Sequence, residues 1–326
     1  MSILEFQSRL ASFLRAFVDL RQSLGYSDKG VISHLAHFDR FLVARGSREK
    51  WLTHECVEEW ASSNGPLKPG SRARRLHTMR ILGRFIAQTC PKSYIPGPTW
   101  GPRQSSSFRP HIYTNAELKL LQQEALTLGP ADSLRPKTYF TLLALLGSTG
   151  LRISEALDLR LSDVDFQDGV LIVRESKFHK SRAVPLHASA VQGLLAYRRD
   201  RDARGHSVDR DASLFVNERK RPLIHPVVYS VFLRIARHAG IRQPAGQRGP
   251  RLHDLRHTFA VNRLLAWYQD GGDVQARLPL LATYLGHVSI VSTQVYLDIT
   301  AELLQEAARR FKPPRLKARR FQGASP

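Results

Sequence analysis

A stretch rich in proline, glycine and serine, CPKSYIPGPTWGPRQSSSFRP, most constrains how this chain can fold. It contains no acidic residue and no hydrophobic period, whereas the segments on both sides of it are periodic. Proline and glycine at this density disfavour helices and strands and favour a semi-extended linker. Since 326 residues suffice for two ordinary domains, we predict domains at residues 1–89 and 112–312, a linker at 90–111 and a basic, frayed tail at 313–326.

Residues 1–89 show the period of amphipathic helices, with apolar side chains three and four positions apart in four runs. Gly25 and Gly46 follow the first two runs as plausible C-caps, and Thr53 opens a short third helix. The fourth run, SRARRLHTMRILGRFIAQ, is apolar on one side and carries on the other Arg72, Arg74, Arg75 and Arg80. Because these charges all have one sign, we predict that this helix contacts phosphate groups.

Residues 112–312 mix helices and strands. Thr114 followed by Glu117 predicts a capping box, and TYFTLLALLGSTG predicts a buried helix. GVLIVRES and SRAVPL have the character of two strands joined by a short turn, and SLFVN that of another short strand. Helices dominate after this point. The predicted fold class is mainly α with a small β-sheet (α+β).

The charge balance indicates a polyanionic partner. Lysine and arginine total 49 against 28 acidic residues, which gives a formal charge of +21 and an isoelectric point near 10.7. Nucleic acid is therefore the favoured partner, and an anionic membrane surface is the weaker alternative. No apolar run approaches the roughly 18 residues of a spanning helix. Glu5, Arg9 and Arg15 interrupt the N-terminal segment, so we do not expect a signal peptide.

Only two cysteines occur, Cys56 and Cys90. They lie far apart and lack the spacing of zinc ligands. We expect both to be reduced packing residues, as in a cytosolic protein.

The stretch RLHDLRHTFA places His253, Arg256 and His257 at the start of a predicted helix. His253 and Arg256 are three positions apart and share a helix face. A histidine and an arginine placed in this way often only form ion pairs with carboxylates. With further basic groups nearby, however, they suit an anion-binding site. We expect His257 to face elsewhere on the turn and to be structural.

Other stretches supply further groups of this kind. STGLRISEALDL places Arg152 after a glycine turn, with Glu155 three positions on and able to pair with it. Lys177 lies at the tip of the predicted strand pair. LGHVSIVSTQVY places His287 after a glycine turn and Tyr296 nine residues later. Each residue alone has an ordinary structural explanation, so the functional argument depends on the complete set.

The set has a recognisable order: arginine in TGLRISE, hairpin lysine, HxLR, LGH, and a tyrosine nine residues after that histidine. This order resembles the tyrosine recombinase, or phage integrase, family, including Xer-type recombinases and integrase-like transposases. The resemblance covers about 112–312. It implies a helical core-binding domain, a catalytic domain of tyrosine-recombinase type, and a cytoplasmic enzyme that cleaves and rejoins double-stranded DNA as a homo-oligomer, with a tetrameric synapse. Companion recombinases stay open as further partners.

The chemistry of these side chains fits the reaction that the resemblance implies. Arg152 and Arg256 supply permanently charged, bidentate donors to a phosphate. Tyr296 is a weak nucleophile as a phenol, and a cationic pocket favours its phenolate form. His253 and His287 titrate near neutrality and can position or exchange protons.

The family resemblance assigns protonation of the departing 5′-oxygen to Lys177. We expect neither a cofactor nor a metal, because the sequence has no GxxxxGK[ST] loop and no metal-type acid cluster. The segment between His253 and His287 is longer than in compact family members, and we expect a surface loop at Asp270–Asp273. Tyr284 and Tyr268 are not excluded as nucleophiles.

Two other functions fit the same residues. A type IB topoisomerase uses similar chemistry as a monomer, and a DNA-binding protein with a decayed site needs no catalysis. The complete set of polar groups argues against decay. An apolar stripe after Tyr296 suits docking on a neighbouring protomer and argues against a monomer: Ile299, Leu303, Leu304, Ala307 and Phe311.

Two basic domains on a flexible linker should close around duplex DNA. Each neutralised phosphate adds about −0.9 to the slope of log K against log salt concentration. We expect a clearly steeper slope for the full chain than for a fragment of residues 112–326 in binding titrations over a salt series. Equal slopes would mean that residues 1–89 do not contact the DNA backbone.

Overall fold

The computed structural model describes residues 5–26, 29–63, 65, 69–97, 110–176, 180–244, 247, 249–287, 291–294 and 296. The chain divides into two compact units, whose described residues run from 5 to 97 and from 110 to 296. The domain bounds drawn from the sequence, and the functions given to the two domains, stay predictions.

The first unit is built from helices α1 (Ala11–Ser23), α2 (Lys29–Ala44), α3 (His54–Ser62) and α4 (Pro69–Ala87). Their apolar faces meet in one core in which Phe38, Trp60 and Met79 are fully buried. The predicted helix caps are present. Gly25 and Gly46 adopt left-handed backbone angles (φ 77° and 65°) after α1 and α2, and the Thr53 side chain accepts a hydrogen bond from the backbone N–H of Cys56.

The arginine-bearing side of α4 is partly engaged within the unit itself. Arg80 donates to the carbonyls of Pro96 and Gly97 at 2.8 and 2.5 Å. The Arg75 guanidinium lies 5.4 Å from the centre of the Trp60 ring, as in a cation–π contact. Arg80 therefore anchors the end of this unit, and the predicted phosphate contact depends mainly on the other three arginines.

The second unit is mostly helical with one small sheet. Its elements are α5 (Asn115–Leu126), α6 (Arg135–Thr149), α7 (Ile153–Leu157), a 3-10 turn (Leu161–Asp163), β1 (Val164–Asp165), β2 (Val170–Ser176), β3 (Lys180–Pro185), α8 (Ala188–Ala203), α9 (His225–His238), α10 (Asp254–Gln269), α11 (Val274–Leu285) and α12 (Val291–Gln294). The sheet is antiparallel in the order β1-β2-β3. The predicted α+β class is confirmed.

Local sequence signals explain how α5 and α6 begin and end. Thr114 and Glu117 form the predicted capping box. The apolar helix α6 is buried along most of its length and ends at Gly150, whose φ of 63° gives the left-handed cap. A Cβ atom at Gly150 would lie 2.6 Å from the Phe259 ring, so glycine is required both by the backbone angle and by the close packing of α10.

The expected strand at SLFVN is wrong. In the described part of the chain this segment makes only isolated bridges, Arg160–Ser213 and Val216–Pro222, and the third strand of the sheet is instead β1. Leu214, Phe215 and Val216 are all buried in succession. A strand on the edge of a sheet alternates between two faces, whereas this short apolar run enters the core as irregular chain, a case that periodicity alone does not resolve.

Both cysteines are free thiols. Cys56 is buried in the first core, and burial raises the pKa of its thiol to about 11, which fits the expected packing role. Among the described helices, none combines the length and the apolar character needed to cross a lipid bilayer.

Gly83 is expected to be a strict packing position. A Cβ atom there would lie 2.5 Å from the carbonyl oxygen of Tyr94. Replacing a helical glycine with alanine usually stabilises by about 0.5–1 kcal/mol, but Gly83→Ala should instead destabilise by about 1–3 kcal/mol, as overpacking does. Urea unfolding measures the change. Gly147→Ala in α6 is the matched control, because its Cβ would meet only Leu118 at 3.9 Å. Equal effects of the two substitutions would contradict this assignment.

Candidate active site

Arg152 is held at the N-terminus of α7, directly after the turn at Gly150 and Leu151. Its backbone N–H and its guanidinium both donate to Glu155, at 2.9 and 2.7 Å. The guanidinium also donates to the carbonyl of Gly286 at 3.0 Å. The predicted Arg152–Glu155 pair is confirmed, and the bond from Arg152 to Gly286 links α7 to the end of α11.

Arg256 lies in the first turn of α10 and is only 2% exposed. It donates to the carbonyl of Gly150 at 2.8 Å and to that of Leu285 at 2.6 Å. The Leu285 carbonyl also lies 3.5 Å from the Arg152 guanidinium. The two arginines, 104 positions apart in the sequence, are thus brought together at the C-terminal end of α11.

His287 and Tyr296 follow α11 closely. Gly286 ends the helix with φ of 68°, and His287 comes next, its Nδ1 within 2.8 Å of the Thr293 hydroxyl. The imidazole stacks on the Tyr296 ring with the ring centres 6.1 Å apart. Tyr296 is 3% exposed, and its phenol lies close enough to Arg256 and Arg152 for their charges to act on its pKa. His287, Tyr296 and both arginines therefore form one cluster.

His253 and His257 join this cluster from the start of α10. Their rings are perpendicular with centres 4.9 Å apart, and the His257 ring lies 5.5 Å from that of Tyr296. The expectation that His257 faces elsewhere on the turn is therefore wrong. Residues four apart also share a helix face, which explains why His257 lies against the tyrosine. Its Nδ1 is buried and has no hydrogen-bond partner among the residues that the structure describes.

One basic residue of the site was missed by the sequence argument. Arg182 of β3 donates to both oxygens of Glu155, at 3.0 and 2.8 Å, and to the carbonyl of Tyr284 at 2.7 Å. A signal was present, because Arg182 alternates with Val184 and so occupies an inward position of the strand. A charged residue at an inward strand position requires a buried partner.

Three further predictions from the sequence concern Lys177, the alternative tyrosines and the Asp270–Asp273 segment. Lys177 lies outside the described residues, so its place in the site stays a prediction. Tyr284 stacks on Phe259 at 5.4 Å, and Tyr268 packs against the same apolar cluster. The Asp270–Asp273 segment is a turn, with Asp273 capping α11 through the backbone N–H of Ala276.

Burial and charge act in opposite directions on the acidic members of the site. Burial alone would raise the pKa of Glu155, but the hydrogen bonds from Arg182 and Arg152 prevail and lower that pKa to about 2. For Tyr296 burial is the stronger effect and raises the pKa, although Arg256 and Arg152 oppose it. In the absence of DNA the carboxylate is therefore charged and the phenol is neutral.

Burial lowers the pKa of each basic member for which a shift is resolved. It brings the pKa of Arg256 to about 10, with the charge of Arg152 adding to the effect. The pKa values of His257 and His287 fall to about 4, mainly through burial and then through neighbouring His253 and Arg256 respectively. The pKa of His253 is lowered by burial and by Arg256. At neutral pH the three imidazoles are therefore neutral and can accept protons.

The described residues contain no group of three or more His, Cys, Asp or Glu side chains placed to hold a metal ion. What the cluster presents is a set of guanidinium donors beside a phenol. Such an arrangement is suited to binding an anionic group and bringing a hydroxyl nucleophile next to it.

Comparison with known proteins identifies the family of this chain. The sequence profile of the phage integrase family matches residues 113–302. A Sinorhizobium fredii (strain NBRC 101917 / NGR234) protein named as an integrase/recombinase, y4rB, is 36% identical over 92% of this chain and 96% of its own length. The tyrosine recombinase XerD of Mycobacterium leprae (strain TN) is 36% identical over 91% of this chain and 88% of its own.

Solved structures show the same fold. The XerH site-specific recombinase bound to a palindromic difH substrate, in a post-cleavage complex, has a TM-score of 0.66 at 20% identity, over 95% of this chain and 96% of its own. A lambda integrase tetramer bound to a Holliday junction has a TM-score of 0.59 at 20% identity, over 89% and 77%.

The chain therefore belongs to the phage integrase family. It is a site-specific tyrosine recombinase, an enzyme that cleaves and rejoins DNA strands. The type IB topoisomerase and the non-catalytic DNA-binding protein considered from the sequence are the less supported functions.

The buried histidines should make the free protein sensitive to acid. A histidine whose pKa is about 4 when folded and about 6.5 when unfolded binds more protons in the unfolded state, so its contribution to stability is lost as pH falls between these values. For His257 the loss from pH 7.5 to 5 is about 2 kcal/mol. Urea unfolding at the two pH values should show that His257→Gln flattens the pH dependence of the unfolding free energy.

The matched control is His238→Gln, which removes an exposed histidine from the last turn of α9. It should leave the pH dependence close to that of the wild type. An unchanged pH dependence in His257→Gln would show that this imidazole does not titrate between the two pH values.

Proposed function

We propose that Tyr296 attacks the scissile phosphodiester and forms a 3′-phosphotyrosyl intermediate, with Arg152 and Arg256 binding the phosphate. The observation that carries this proposal is the position of Tyr296, whose buried ring stacks on His287 and whose phenol lies within the influence of the Arg256 charge. Tyr284, the alternative nucleophile, instead stacks on Phe259.

The charges of the site favour this assignment. Arg152, Arg182 and Arg256 carry three positive charges against the single carboxylate of Glu155, so this set of four groups has an excess of two. In the transition state of phosphoryl transfer, negative charge spreads over the non-bridging oxygens. Guanidinium groups held in advance stabilise that charge without having to reorganise during the reaction.

The nucleophile has to be activated after DNA binds. Burial keeps the pKa of Tyr296 raised, although the charge of Arg256, one of the two proposed phosphate donors, acts to lower it. We infer that the scissile phosphate binds Arg256 beside the phenol and that the Tyr296 oxygen then turns toward phosphorus. The negative charge of the bound phosphate raises the pKa of the nearby imidazoles. His253 and His287 are then the candidates to take the proton of the phenol.

The leaving 5′-oxygen needs a proton, and the family resemblance gives this role to Lys177. Rejoining reverses the same steps, since the new 5′-hydroxyl attacks the phosphotyrosine and releases Tyr296. The phosphotyrosine retains the energy of the broken ester, so no nucleotide hydrolysis is needed.

The proposed partner is double-stranded DNA, bound by a chain with a formal charge of +21. The lambda integrase of similar fold is a tetramer on a Holliday junction, and we propose a homotetrameric synapse here, with companion recombinases as possible additional members. The apolar stripe expected to join protomers, from Ile299 to Phe311, lies outside the described residues.

We propose that the enzyme acts in the cytoplasm, where its DNA substrate would be. Its proposed role is that of an integrase or transposase of a mobile element, or of an Xer-like recombinase.

Loss of the phenol should abolish covalent chemistry without abolishing binding. Tyr296→Phe keeps the buried ring but has no hydroxyl to attack phosphorus. On a nicked suicide substrate, the variant should yield no protein–DNA adduct on denaturing gels, while its DNA affinity in titrations stays within about threefold of the wild type, because Arg152 and Arg256 remain.

Tyr284→Phe is the matched control, since it removes a hydroxyl from a half-buried tyrosine close to the same turn. It should still trap DNA. If Tyr296→Phe still forms the adduct, the nucleophile is another tyrosine. If only Tyr284→Phe fails to form it, the nucleophile is Tyr284.

A further inference from the structure

Arg182 occupies a position in β3 that the pattern of the sheet reserves for apolar side chains. It pairs with Val173 of β2, and the next inward pair is Val184 with Leu171. Those three neighbours are buried, and the Arg182 side chain is itself only 10% exposed. Burying a guanidinium costs free energy that an apolar residue at this place would not cost. The charge therefore has a use other than filling the core.

The contacts of Arg182 engage all three nitrogens of its guanidinium. Nη1 and Nη2 donate to the two carboxylate oxygens of Glu155 at 3.0 and 2.8 Å, and Nε donates to the backbone carbonyl of Tyr284 at 2.7 Å. A planar fork of this kind fixes both the position and the plane of the carboxylate.

Glu155 transmits this constraint to Arg152. The oxygen that accepts from Nη1 of Arg182 also accepts from the Arg152 guanidinium at 2.7 Å, and the other oxygen accepts from the backbone N–H of Arg152 at 2.9 Å. Each carboxylate oxygen thus has two donors. Rotation of Glu155 would break bonds to Arg182 and Arg152 together, so the two arginines are mechanically linked.

The second branch leads to the turn that carries His287. Tyr284 lies in the last turn of α11, two residues before Gly286, whose carbonyl accepts from Arg152 at 3.0 Å. A Cβ atom at position 286 would lie 2.8 Å from Nη1 of Arg182 and 3.4 Å from the nearest nitrogen of Arg152. Arg182 therefore contacts the turn closely at a point where only glycine leaves space.

We propose that Arg182 is a positioning residue for DNA cleavage, one that sets the place of Arg152 through Glu155 and the place of the His287 turn through the Tyr284 carbonyl. The inference rests on the proposed function and deepens it. Arg182 itself does not touch the phosphate. Its effect is on the placement of groups that do, and a displacement of about 1 Å in such groups can cost a hundred-fold in rate.

A purely structural ion pair would behave differently. If Arg182 served folding alone, its loss would lower stability and would slow the cleavage of every substrate to the same extent. If it positions Arg152 for a charged transition state, its loss should matter most when the scissile phosphate carries its full negative charge. The two cases are therefore separated by the charge of the substrate.

The experiment compares the wild type, Arg182→Met and Arg182→Lys on two nicked suicide duplexes. One has an ordinary scissile phosphodiester, and the other has a methylphosphonate there, in which a methyl group replaces one charged oxygen. Single-turnover adduct formation, DNA dissociation constants and thermal unfolding midpoints are measured for each variant. Arg160→Met is the matched control, because Arg160 pairs with Asp211 at 2.9 Å on the exposed surface of the same unit.

On the phosphodiester we expect Arg182→Met to form adduct about a hundred-fold more slowly than the wild type, with DNA affinity changed by less than about threefold. Arg182→Lys should be intermediate, since it keeps the charge without the fork. On the methylphosphonate the defect should shrink to less than about tenfold, because little charge remains for Arg152 to stabilise. Arg160→Met should match the wild type on both substrates.

Equal defects on the two substrates, or wild-type rates in both variants, would overturn the inference. If circular dichroism shows that Arg182→Met does not fold, Arg182→Lys provides the test. Its rates of adduct formation on the phosphodiester and the methylphosphonate, each relative to the wild type, then decide whether the defect depends on the substrate charge. A wild type that forms no adduct on the phosphodiester would overturn the proposed function itself. A wild type that forms adduct while both Arg182 variants are equally slow on both substrates would overturn only the positioning role.

Discussion

The arrangement of the site depends on one buried carboxylate. Glu155 receives four hydrogen bonds, three from guanidinium nitrogens of Arg152 and Arg182 and one from the backbone of Arg152. Without it, two like charges would lie side by side in a poorly solvated place, which is costly. With it, a strand, a short helix and the end of α11 are joined. The carboxylate allows cations to gather in the protein before any anionic substrate arrives.

The electrostatic state of the resting site differs from the one that its composition suggests. A pocket with several arginines should favour phenolate, yet burial outweighs the cations and keeps the Tyr296 phenol neutral. The same burial keeps the nearby imidazoles neutral. The free enzyme therefore holds a protonated Tyr296 phenol beside unprotonated imidazoles. This order of pKa values disfavours proton transfer from the phenol to the imidazoles, and the negative charge of a bound phosphate would favour protonation of the imidazoles.

Local signals in the sequence predicted the parts of the molecule that are determined locally. The capping box at Thr114, the turns at Gly150 and Gly286, and the helix that starts after His253 depend on a few adjacent residues. The partners of Arg182 lie 27 and 102 positions away, and no local pattern identifies them. The strand predicted at SLFVN was wrong for a related reason. The tertiary environment decides whether the apolar side chains of this segment alternate between two faces.

The helical hairpin of α10 and α11 places the site at one of its ends. Arg256 lies in the first turn of α10 and Leu285 in the last of α11, whereas Asp270–Asp273 connects the opposite ends. A helix of 16 residues is about 24 Å long at 1.5 Å per residue. The unusual length between the HxLR and LGH motifs is therefore accommodated far from the chemistry. This connection is a natural attachment point for a fluorescent tag that reports on the enzyme without disturbing its reaction.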